Sequence, residues 1–439
     1  MNLDEGKVKV LEKLKGKDLE GLEYEPLFDY YVESMKGKFP VWKIWSAGFV
    51  TSEAGTGVVH CAPFGEDDYK LYRKHGIIDT SRPPLPIDDN GVFRSPVEDF
   101  KGMFIKKADP QILAKLKEKG RLMANLRIKH SYPFCWRSEQ PLIYRPVQSW
   151  FIRVTQIKEQ LLANNLKAYW VPKAIQENRF HNWLKDAADW CFSRNRYWGN
   201  PIPIWTDDEF DEKICIGSVE ELETLAGLEK GSVKDLHRES IDHIKIPSKK
   251  KPGTFLHRLE EVFDCWLESG SMPFAQLGYP QNLSAEEFDK KFPADFIAEG
   301  VDQTRGWFYT LNVIATALRN QPPFKNLIVN GLVLAQDGKK MSKRLRNYPD
   351  PTLMINEYGS DALRLYLVSS PAVHAENLRF SEKGLKGTLS SVVIPLYNSY
   401  RFLVQNIQRW EDNTKQVFRV SEGATEGLNV MDHWILAAT

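Results

Sequence analysis

Cationic side chains crowd one short stretch of the chain, DGKKMSKRLRNYPDP, which spans residues 337–351 and follows the apolar run LIVNGLVLA. Because like charges at this spacing repel one another, the cluster indicates either a solvated turn or a loop that a polyanion visits. Such a loop could clamp the charge that spreads over nucleotide phosphates during displacement at the α-phosphorus, where catalysis is mainly electrostatic. The residues suited to that chemistry are Lys340, Ser342 and Lys343.

A second polar cluster follows the segment FPADFIAEG, residues 292–300. A carboxylate such as Glu299 or Asp302 suits a substrate ammonium, and the Gln303 amide suits ribose or carbonyl oxygens. Asp302 and Arg305, three residues apart at a predicted helix start, could equally form an ordinary surface pair.

The third cluster is GTGVVHCAPFGEDDY, residues 55–69. Gly55 and Gly57 permit a close approach of the backbone to a ligand, and three acidic residues end the block beside Tyr69. His60 with these acids could suggest a metal site, but no second His or Cys stands at ligand spacing. The pattern therefore favours a ligand pocket without a metal.

The secondary structure predicted around the first two clusters places both clusters at the same edge of a parallel sheet. FPADFIAEG is predicted to be a strand, TRGWFYTLNVIATALRN a helix and NLIVNGLVLAQ a second buried strand. A strand, helix and strand in this order imply a right-handed unit with parallel strands. Because ligands bind at the carboxyl ends of parallel strands, both clusters are expected on the same rim.

Other segments carry weaker patterns. Residues 41–62 alternate β-rich runs with glycines and predict strands of a β-rich module. PQILAKLKEKG, residues 110–120, predicts a helix that begins at its proline and ends at its glycine. The segments DALRLYLVSS and VVIPLYNSYRFLVQNIQRW, after Pro349, predict a helical bundle.

Composition bounds the class of protein. The 439 residues suggest two to four domains, and 42% hydrophobic residues are enough for a core without disulfides or metals. The 59 basic and 58 acidic side chains leave a net charge of +1, so any nucleic-acid contact must come from local patches. Five scattered cysteines without a CxxC pair suit a reducing compartment, and no run approaches 18 apolar residues. The sequence predicts a cytoplasmic protein without a membrane partner.

Several separate blocks resemble one family in collinear order. KMSKR is similar to the KMSKS loop of class I aminoacyl-tRNA synthetases, and further blocks resemble the isoleucyl-tRNA synthetase family, most closely its eukaryotic cytosolic type. These blocks are GTGVVHCAPFGEDDY, HSYPFCWRS, WCFSRNRYWGNPIPIW, FDCWLESGSMP, DFIAEGVDQTRGWF and YGSDALRLYL. The resemblance covers essentially the whole chain.

The resemblance implies roles for individual residues. Lys340 and Lys343 would bind ATP phosphates, and His60 and Asp68 would belong to an editing pocket, with Asp68 holding the ammonium of a mischarged amino acid. Binding of the amino acid and its adenylate would fall to Trp266, Glu299, Gly300, Asp302, Gln303 and Trp307. Without the resemblance, either tryptophan would be assigned to a core.

The sequence does not decide the roles of two further groups of residues. Arg194, Arg196 and Trp198 either face the tRNA acceptor end or organise the core, and His237 and His243 are predicted to be structural.

The implied fold is α/β. Residues 1–150 would complete a β-rich editing insertion, and residues 151–255 would lead back to the catalytic core. Residues 256–375 would form the second half of a Rossmann-type parallel sheet with the KMSKR loop, and residues 376–439 would begin a helical anticodon-binding domain. The implied reaction is ATP-dependent ligation of isoleucine to tRNA(Ile), with ATP and its Mg²⁺ as cofactors, no protein-bound zinc, and hydrolytic editing of valyl-tRNA.

Two motifs of the family are missing from the sequence. Neither the His-x-Gly-His loop, whose histidines act on ATP phosphates, nor the TTTPWT strand of the editing pocket occurs, and both stand earlier in the family's order. We therefore expect the chain to be a fragment of a longer enzyme. The alternatives are a tRNA-binding protein without ligase activity and a protein that only edits; association with other synthetases is not readable from the sequence.

Overall fold

The computed structural model describes residues 11–51, 57–79, 83–127, 129–135, 138–342, 345–420 and 428–438. The chain divides into two compact units, Met1–Gln148 and Ser149–Thr439. Among the helices of these described ranges, none is both long and apolar enough to cross a membrane.

The regular elements among the described residues of the first unit are helices, which contradicts the prediction of strands over residues 41–62 for the described part of that range. Pairing there is limited to isolated bridges, of which Glu23–Lys43 is one, and no strand forms in the described part of the unit. The β-rich runs are too short to build a sheet without a neighbouring strand that satisfies their backbone groups. The helices are Gly16–Leu19, Val32–Met35, Glu66–His75, Glu98–Phe100 and Ile105–Glu118, the first and fourth being 3-10 helices.

The helix predicted over residues 110–120 forms, but its start was placed wrongly. It spans Ile105–Glu118 with Pro110 inside, because the preceding residues also adopt helical geometry and Ala108 is fully buried. Proline removes one backbone donor but does not end this helix. The predicted end is right: the last turn is basic and Gly120 follows with φ of 67°.

The second unit contains the predicted parallel sheet. The central strand Phe324–Asn330 pairs in parallel with Ala294–Gly300 on one side and with Tyr169–Val171 on the other. The helix Trp307–Arg319 connects the first two strands, as predicted. It begins where Gln303 Oε1 accepts the backbone N–H of Trp307 at 3.0 Å, and it ends at Asn320 in the left-handed conformation.

One buried cluster fixes this helix on the sheet. Phe308 and Val313 from the helix pack with Trp170, Phe324 and Leu327 from the strands. The rings of Trp170 and Phe308 meet edge to face with centroids 5.7 Å apart. Each fully buried Phe or Leu side chain contributes about 1.5–3 kcal/mol relative to its exposed state. The helix and the strand ends next to it therefore form a rigid frame.

The remaining strands are short. A four-stranded antiparallel sheet has the order Lys213–Cys215, Ile204–Thr206, Phe255–Arg258 and Ile246–Pro247. The two-stranded pairs are Phe151–Ile152 with Trp190–Cys191, Ser193–Arg194 with Val262–Phe263, and Val333–Leu334 with Leu378–Arg379.

Helices fill the rest of the second unit, and the predicted helical character after Pro349 is confirmed. Before the first long strand of the sheet lie Val154–Gln156, Lys158–Lys167, Ile175–Phe180, His181–Lys185, Val219–Ala226, Arg238–Ile241, Cys265–Gly270, Met272–Ala275 and Ala285–Asp289. Later in the chain lie Val301–Arg305, Pro351–Tyr358, Ser360–Val368, Pro371–His374, Glu382–Thr388, Leu389–Val393, Ile394–Thr414 and Val430–Ala438.

Candidate active site and candidate editing pocket

The carboxyl ends of the two long parallel strands are level with one another. Glu299 stands opposite Val329, and Gly300 stands opposite Asn330. Glu299 is exposed, and the turn Val301–Arg305 then carries Asp302 and Gln303 over the strand end. A Cβ atom at Gly300 would lie 2.6 Å from Asp302 Oδ1, so a larger residue here would displace this exposed carboxylate from the strand end.

Two tryptophans and Gln303 form a connected group beside this strand end. Gln303 Oε1 accepts the backbone N–H of Trp307 at 3.0 Å, and Trp307 Nε1 donates to the carbonyl oxygen of Ser269, also at 3.0 Å. The Trp266 ring lies over Gly306, where an added Cβ would be 3.0 Å from its Cη2 atom. Trp266 is 39% exposed. An aromatic wall therefore stands open to solvent next to the carboxylates of Glu299 and Asp302.

The basic loop is fixed through its backbone. Asn347 Oδ1 accepts the Ser342 N–H at 2.9 Å, and Asn347 Nδ2 donates to the Lys340 carbonyl oxygen at 3.1 Å. The Met341 side chain packs into the cluster around Met354 and Phe380. Lys340 thus remains exposed beside a backbone that Asn347 anchors. Lys343, its predicted partner, lies outside the described residues.

The turn that opens the basic loop is held by a hydrogen bond and lies close to the Arg379 side chain. Asp337 Oδ1 accepts the Lys339 N–H at 3.0 Å, and this backbone hydrogen bond holds the pKa of the Asp337 carboxyl below its usual value. Gly338 has φ of 81°, and a Cβ there would lie 3.1 Å from Arg379 Nε. The turn that opens the basic loop therefore requires glycine on both backbone and steric grounds.

The sequence left open whether Arg194, Arg196 and Trp198 face the tRNA acceptor end or organise the core. In the structure these residues have different surroundings. Arg194 Nη2 lies 2.6 Å from Asp264 Oδ2, so this arginine organises the fold. Trp198 is 73% exposed and stacks on the His237 ring with centroids 5.0 Å apart. Arg194, Arg196, Trp198 and His237 line one cavity of about 480 Å³. Trp198 is therefore not a core residue in the described structure, and His243 is exposed.

A larger cavity of about 810 Å³ lies within the first unit, and His60 is among its lining residues. Asp68 stands in the first turn of the helix Glu66–His75 and is not among the lining residues of this cavity, although its hydrogen-bond partner Cys61 is. Cys61 Sγ donates to Asp68 Oδ1 at 3.3 Å, and Tyr72 donates its hydroxyl to the Cys61 carbonyl oxygen at 2.9 Å. Burial and the neighbouring carboxylate raise the pKa of the Cys61 thiol to about 11. Gly55 lies outside the described residues.

Metal ligation has no candidate in the described ranges. Within them, no group of three or more His, Cys, Asp and Glu side chains could hold a metal ion. Over the same ranges, the five cysteines form no disulfide.

Asp264 and Asn347 were missed at the level of sequence. Asp264 directly precedes the helix Cys265–Gly270 and accepts the Trp266 N–H at 3.3 Å. An aspartate before an apolar helical turn is a typical N-cap signal, so the pattern could have identified it. Asn347 carries no such signal, because its two partners belong to a loop without regular structure.

Comparison with known proteins identifies the family to which the chain belongs. Residues 12–379 match the family model described as tRNA synthetases class I (I, L, M and V). The chain therefore belongs to the class I tRNA synthetases of this group.

The similar curated proteins are ligases for one amino acid, isoleucine. The chain is 54% identical over 438 residues to the isoleucine–tRNA ligase of Tetrahymena thermophila, covering 99% of this chain and 40% of that protein. It is 53% identical over 439 residues to the cytoplasmic isoleucine–tRNA ligase of Mus musculus, covering 99% of this chain and 34% of that protein. The chain thus spans two fifths or less of the length of these relatives.

Solved structures are more distant. The LeuRS–tRNA–LeuAMS ternary complex of Agrobacterium radiobacter K84 matches with 23% identity and a TM-score of 0.39, over 52% of this chain and 30% of that one.

Proposed function

We propose that this chain supplies catalytic and editing residues to an isoleucine–tRNA ligase. The observation that carries the proposal is the group formed by Trp266, Gln303 and Trp307 beside Glu299 and Asp302 at the carboxyl edge of the parallel sheet. It combines an open aromatic wall with two carboxylates, which suits a substrate with an apolar side chain and an ammonium group. The identity to isoleucine–tRNA ligases supports the choice of amino acid.

In the first step, a carboxylate oxygen of isoleucine attacks the α-phosphorus of ATP. A bond forms between that oxygen and phosphorus, the bond from phosphorus to the bridging oxygen breaks, and pyrophosphate leaves with the electron pair. Glu299 or Asp302 binds the ammonium, and Gln303 binds the adenylate. Lys340 and Lys343 stabilise the negative charge on the phosphates, and the Ser342 hydroxyl donates a hydrogen bond to them. Mg²⁺ accompanies ATP as part of the substrate and screens the same charge.

In the second step, the terminal ribose hydroxyl of tRNA(Ile) attacks the carbonyl carbon of the adenylate and AMP leaves. Valine also enters this path because it is shorter than isoleucine by one methylene. An apolar pocket discriminates such a pair by about 10- to 200-fold, a general figure for which isoleucine–valine selection by this class of enzyme is itself the reference case. A second, hydrolytic site is therefore needed.

We assign that second site to the cavity in the first unit. Asp68 would bind the ammonium of the misattached valine, with His60 as part of the wall. A water molecule would then add to the ester carbonyl, releasing valine and free tRNA. Hydrolysis of an ester needs a positioned water more than a protein nucleophile.

The remaining parts of the assignment follow the family. Residues 1–150 would belong to the editing insertion, residues 151–255 to the connection, residues 256–375 to the catalytic sheet and residues 376–439 to the start of a helical tRNA-binding domain. We place the protein in the cytoplasm, in line with the names of the relatives from Schizosaccharomyces pombe and Mus musculus. No structural zinc is required.

The test separates the two activities in the full-length protein. Lys343→Ala should slow isoleucine-dependent ATP–pyrophosphate exchange about 100-fold or more while sparing hydrolysis of valyl-tRNA(Ile), because its charge is used only in phosphate displacement. Asp68→Ala should show the opposite pattern. Unchanged exchange in Lys343→Ala, or unchanged hydrolysis in Asp68→Ala, would refute the corresponding role. A full-length protein that binds tRNA(Ile) but shows neither activity would favour the tRNA-binding alternative.

A further inference from the structure

We propose that Asp264 and Arg194 are positioning residues, which hold Trp266 in the orientation that selects the amino-acid side chain. This inference rests on the proposed function and extends it to two residues that do not themselves reach the substrate. It explains why Arg194, one member of the RNR sequence, pairs with a buried carboxylate while Trp198 remains exposed.

Asp264 is a buried carboxylate with four hydrogen-bond donors around it, the weakest of which is the Cys265 thiol at 3.7 Å. Its side chain is 4% exposed, and Oδ2 lies 2.6 Å from Arg194 Nη2. The same oxygen accepts the indole N–H of Trp190 at 3.3 Å, while Oδ1 accepts the Trp266 backbone N–H at 3.3 Å. The charge is therefore compensated, and both carboxylate oxygens have a defined direction.

Arg194 fixes the carboxylate from the other side. Its Nη1 atom donates to the Cys191 carbonyl oxygen at 2.9 Å and to the Ser193 carbonyl oxygen at 2.8 Å. The strand Ser193–Arg194 pairs with Val262–Phe263, directly before Asp264. The arginine thus ties the aspartate to a second strand rather than to a mobile surface.

The link to the substrate side runs through the short helix Cys265–Gly270. A helix of six residues makes few hydrogen bonds of its own, so its direction depends on its two ends. Asp264 caps the first end next to Trp266. At the other end, Ser269 accepts Trp307 Nε1, and Gly270 approaches Thr310 and Ile314 so closely that an added Cβ would lie 3.0 Å from each.

Trp266 has few constraints apart from this helix. Its ring lies over Gly306 and close to Gln303, and 39% of the residue faces solvent. A small rotation of the helix would therefore move the ring across the edge of the amino-acid pocket. Only Asp264 of this ion pair is buried, since the Arg194 side chain is 41% exposed. Neither an exposed nor a buried ion pair is reliably stabilising, so the pair is better explained by positioning than by stability.

The test uses the full-length enzyme and Asp264→Asn. Asparagine is also a good N-cap residue, so the helix should form while the charge that holds Arg194 is lost. We expect the KM for isoleucine in ATP–pyrophosphate exchange to rise about 10-fold or more, the KM for ATP to stay within twofold, and the ratio of kcat/KM for isoleucine over valine to fall. The matched control is Asp207→Asn, which removes a carboxylate of 9% side-chain exposure from its ion pair with Lys251 in the antiparallel sheet.

Arg194→Lys is the second variant, in case Asp264→Asn does not fold. It retains the charge but not the three directed bonds, so the KM for isoleucine should rise by an intermediate amount. Folded variants with an isoleucine KM and isoleucine–valine ratio within twofold of the parent would overturn the inference alone. The same rise in Asp207→Asn would also overturn it, as a general effect of losing a buried charge. If the parent enzyme itself shows no isoleucine-dependent exchange, the proposed function fails, and this inference fails with it.

Discussion

The thiol of Cys61 lies in an environment that opposes its ionisation. It is partly buried and donates to Asp68 Oδ1 at 3.3 Å, and both effects raise its pKa to about 11. The thiolate is the form that reacts with alkylating agents. At pH 8.5, a thiol with an unperturbed pKa is about half ionised, whereas Cys61 is expected to be ionised to well under 1%.

We therefore predict slow alkylation of Cys61 with an unusual pH profile. Its rate with iodoacetamide should keep rising about tenfold per pH unit up to about pH 10, while a small thiol of ordinary pKa, added as an internal standard, levels off above about pH 9. Asp68→Asn removes the negative charge and should increase the Cys61 rate at pH 8.5. Mass spectrometry gives both rates in one sample; equal pH profiles for Cys61 and the thiol standard would contradict the prediction.

Individual residues were predictable from the sequence to different degrees. Charge alone left Lys340 open between a solvated turn and a phosphate-binding loop, so the roles proposed for Lys340 and Trp266 both depend on family resemblance. For Trp266 the reason is that most tryptophans are core residues. Arg194 and Trp198 stand four residues apart, yet Arg194 pairs with the buried Asp264 carboxylate while Trp198 is mostly exposed. Local composition cannot distinguish the two cases, since the decisive partner of Arg194 is Asp264, 70 positions later in the chain.

At the scale of elements, long periodic segments were predicted well and short ones poorly. The strand Ala294–Gly300, the helix Trp307–Arg319 and the strand Phe324–Asn330 each carry enough apolar residues to define a buried face. Residues 41–62 do not form the predicted strands within their described part, since a strand needs a partner that its own sequence does not specify. Pro110 was taken as a helix start, although tertiary burial of Ala108 extends that helix backwards.

The chain segments around Gly331 and Glu376 cross in close contact, and this crossing gives a prediction at the scale of elements. Gly331 is buried and donates its N–H to the Ala372 carbonyl oxygen at 2.7 Å, and a Cβ there would lie 1.7 Å from the Glu376 carbonyl oxygen. Gly331→Ala must therefore displace backbone and should destabilise the protein by about 1–3 kcal/mol or more. Thermal unfolding measures the change.

Gly387→Ala is the matched control for that experiment. Gly387 lies in the helix Glu382–Thr388, and nothing is within 4 Å of an added Cβ. The control should be neutral or slightly stabilising, since alanine favours a helix over glycine by about 1 kcal/mol. Equal melting temperatures for Gly331→Ala and the parent would show that the crossing is looser than described.

At the scale of the whole molecule, the chain consists of two units, Met1–Gln148 and Ser149–Thr439. Between Glu118 and Phe151, the described residues form no helix or strand and only one isolated bridge, Phe134–Pro141. Backbone without regular hydrogen bonds is the preferred substrate of proteases.

We predict that limited trypsin treatment cleaves first in this connecting stretch. Arg127 and Lys129 are both exposed there, so cleavage should yield one fragment with most of the first unit and one with the second unit, which also carries the last residues of the first. Replacing both residues with glutamine should delay the first cut, as followed by intact mass over time. First cleavage inside the helix Trp307–Arg319 would contradict the division into units.

The measurement that tests the central claim most directly is amino-acid-dependent ATP–pyrophosphate exchange by the full-length protein, run with each of the twenty amino acids. We expect isoleucine to support the fastest exchange and valine to follow with a kcat/KM about 10- to 200-fold lower, the range known for isoleucine–valine selection by an apolar pocket in this class of enzyme. Fastest exchange with leucine or methionine, or no exchange with any amino acid, would contradict the assignment of the site beside Glu299, Gln303 and Trp307 to isoleucine.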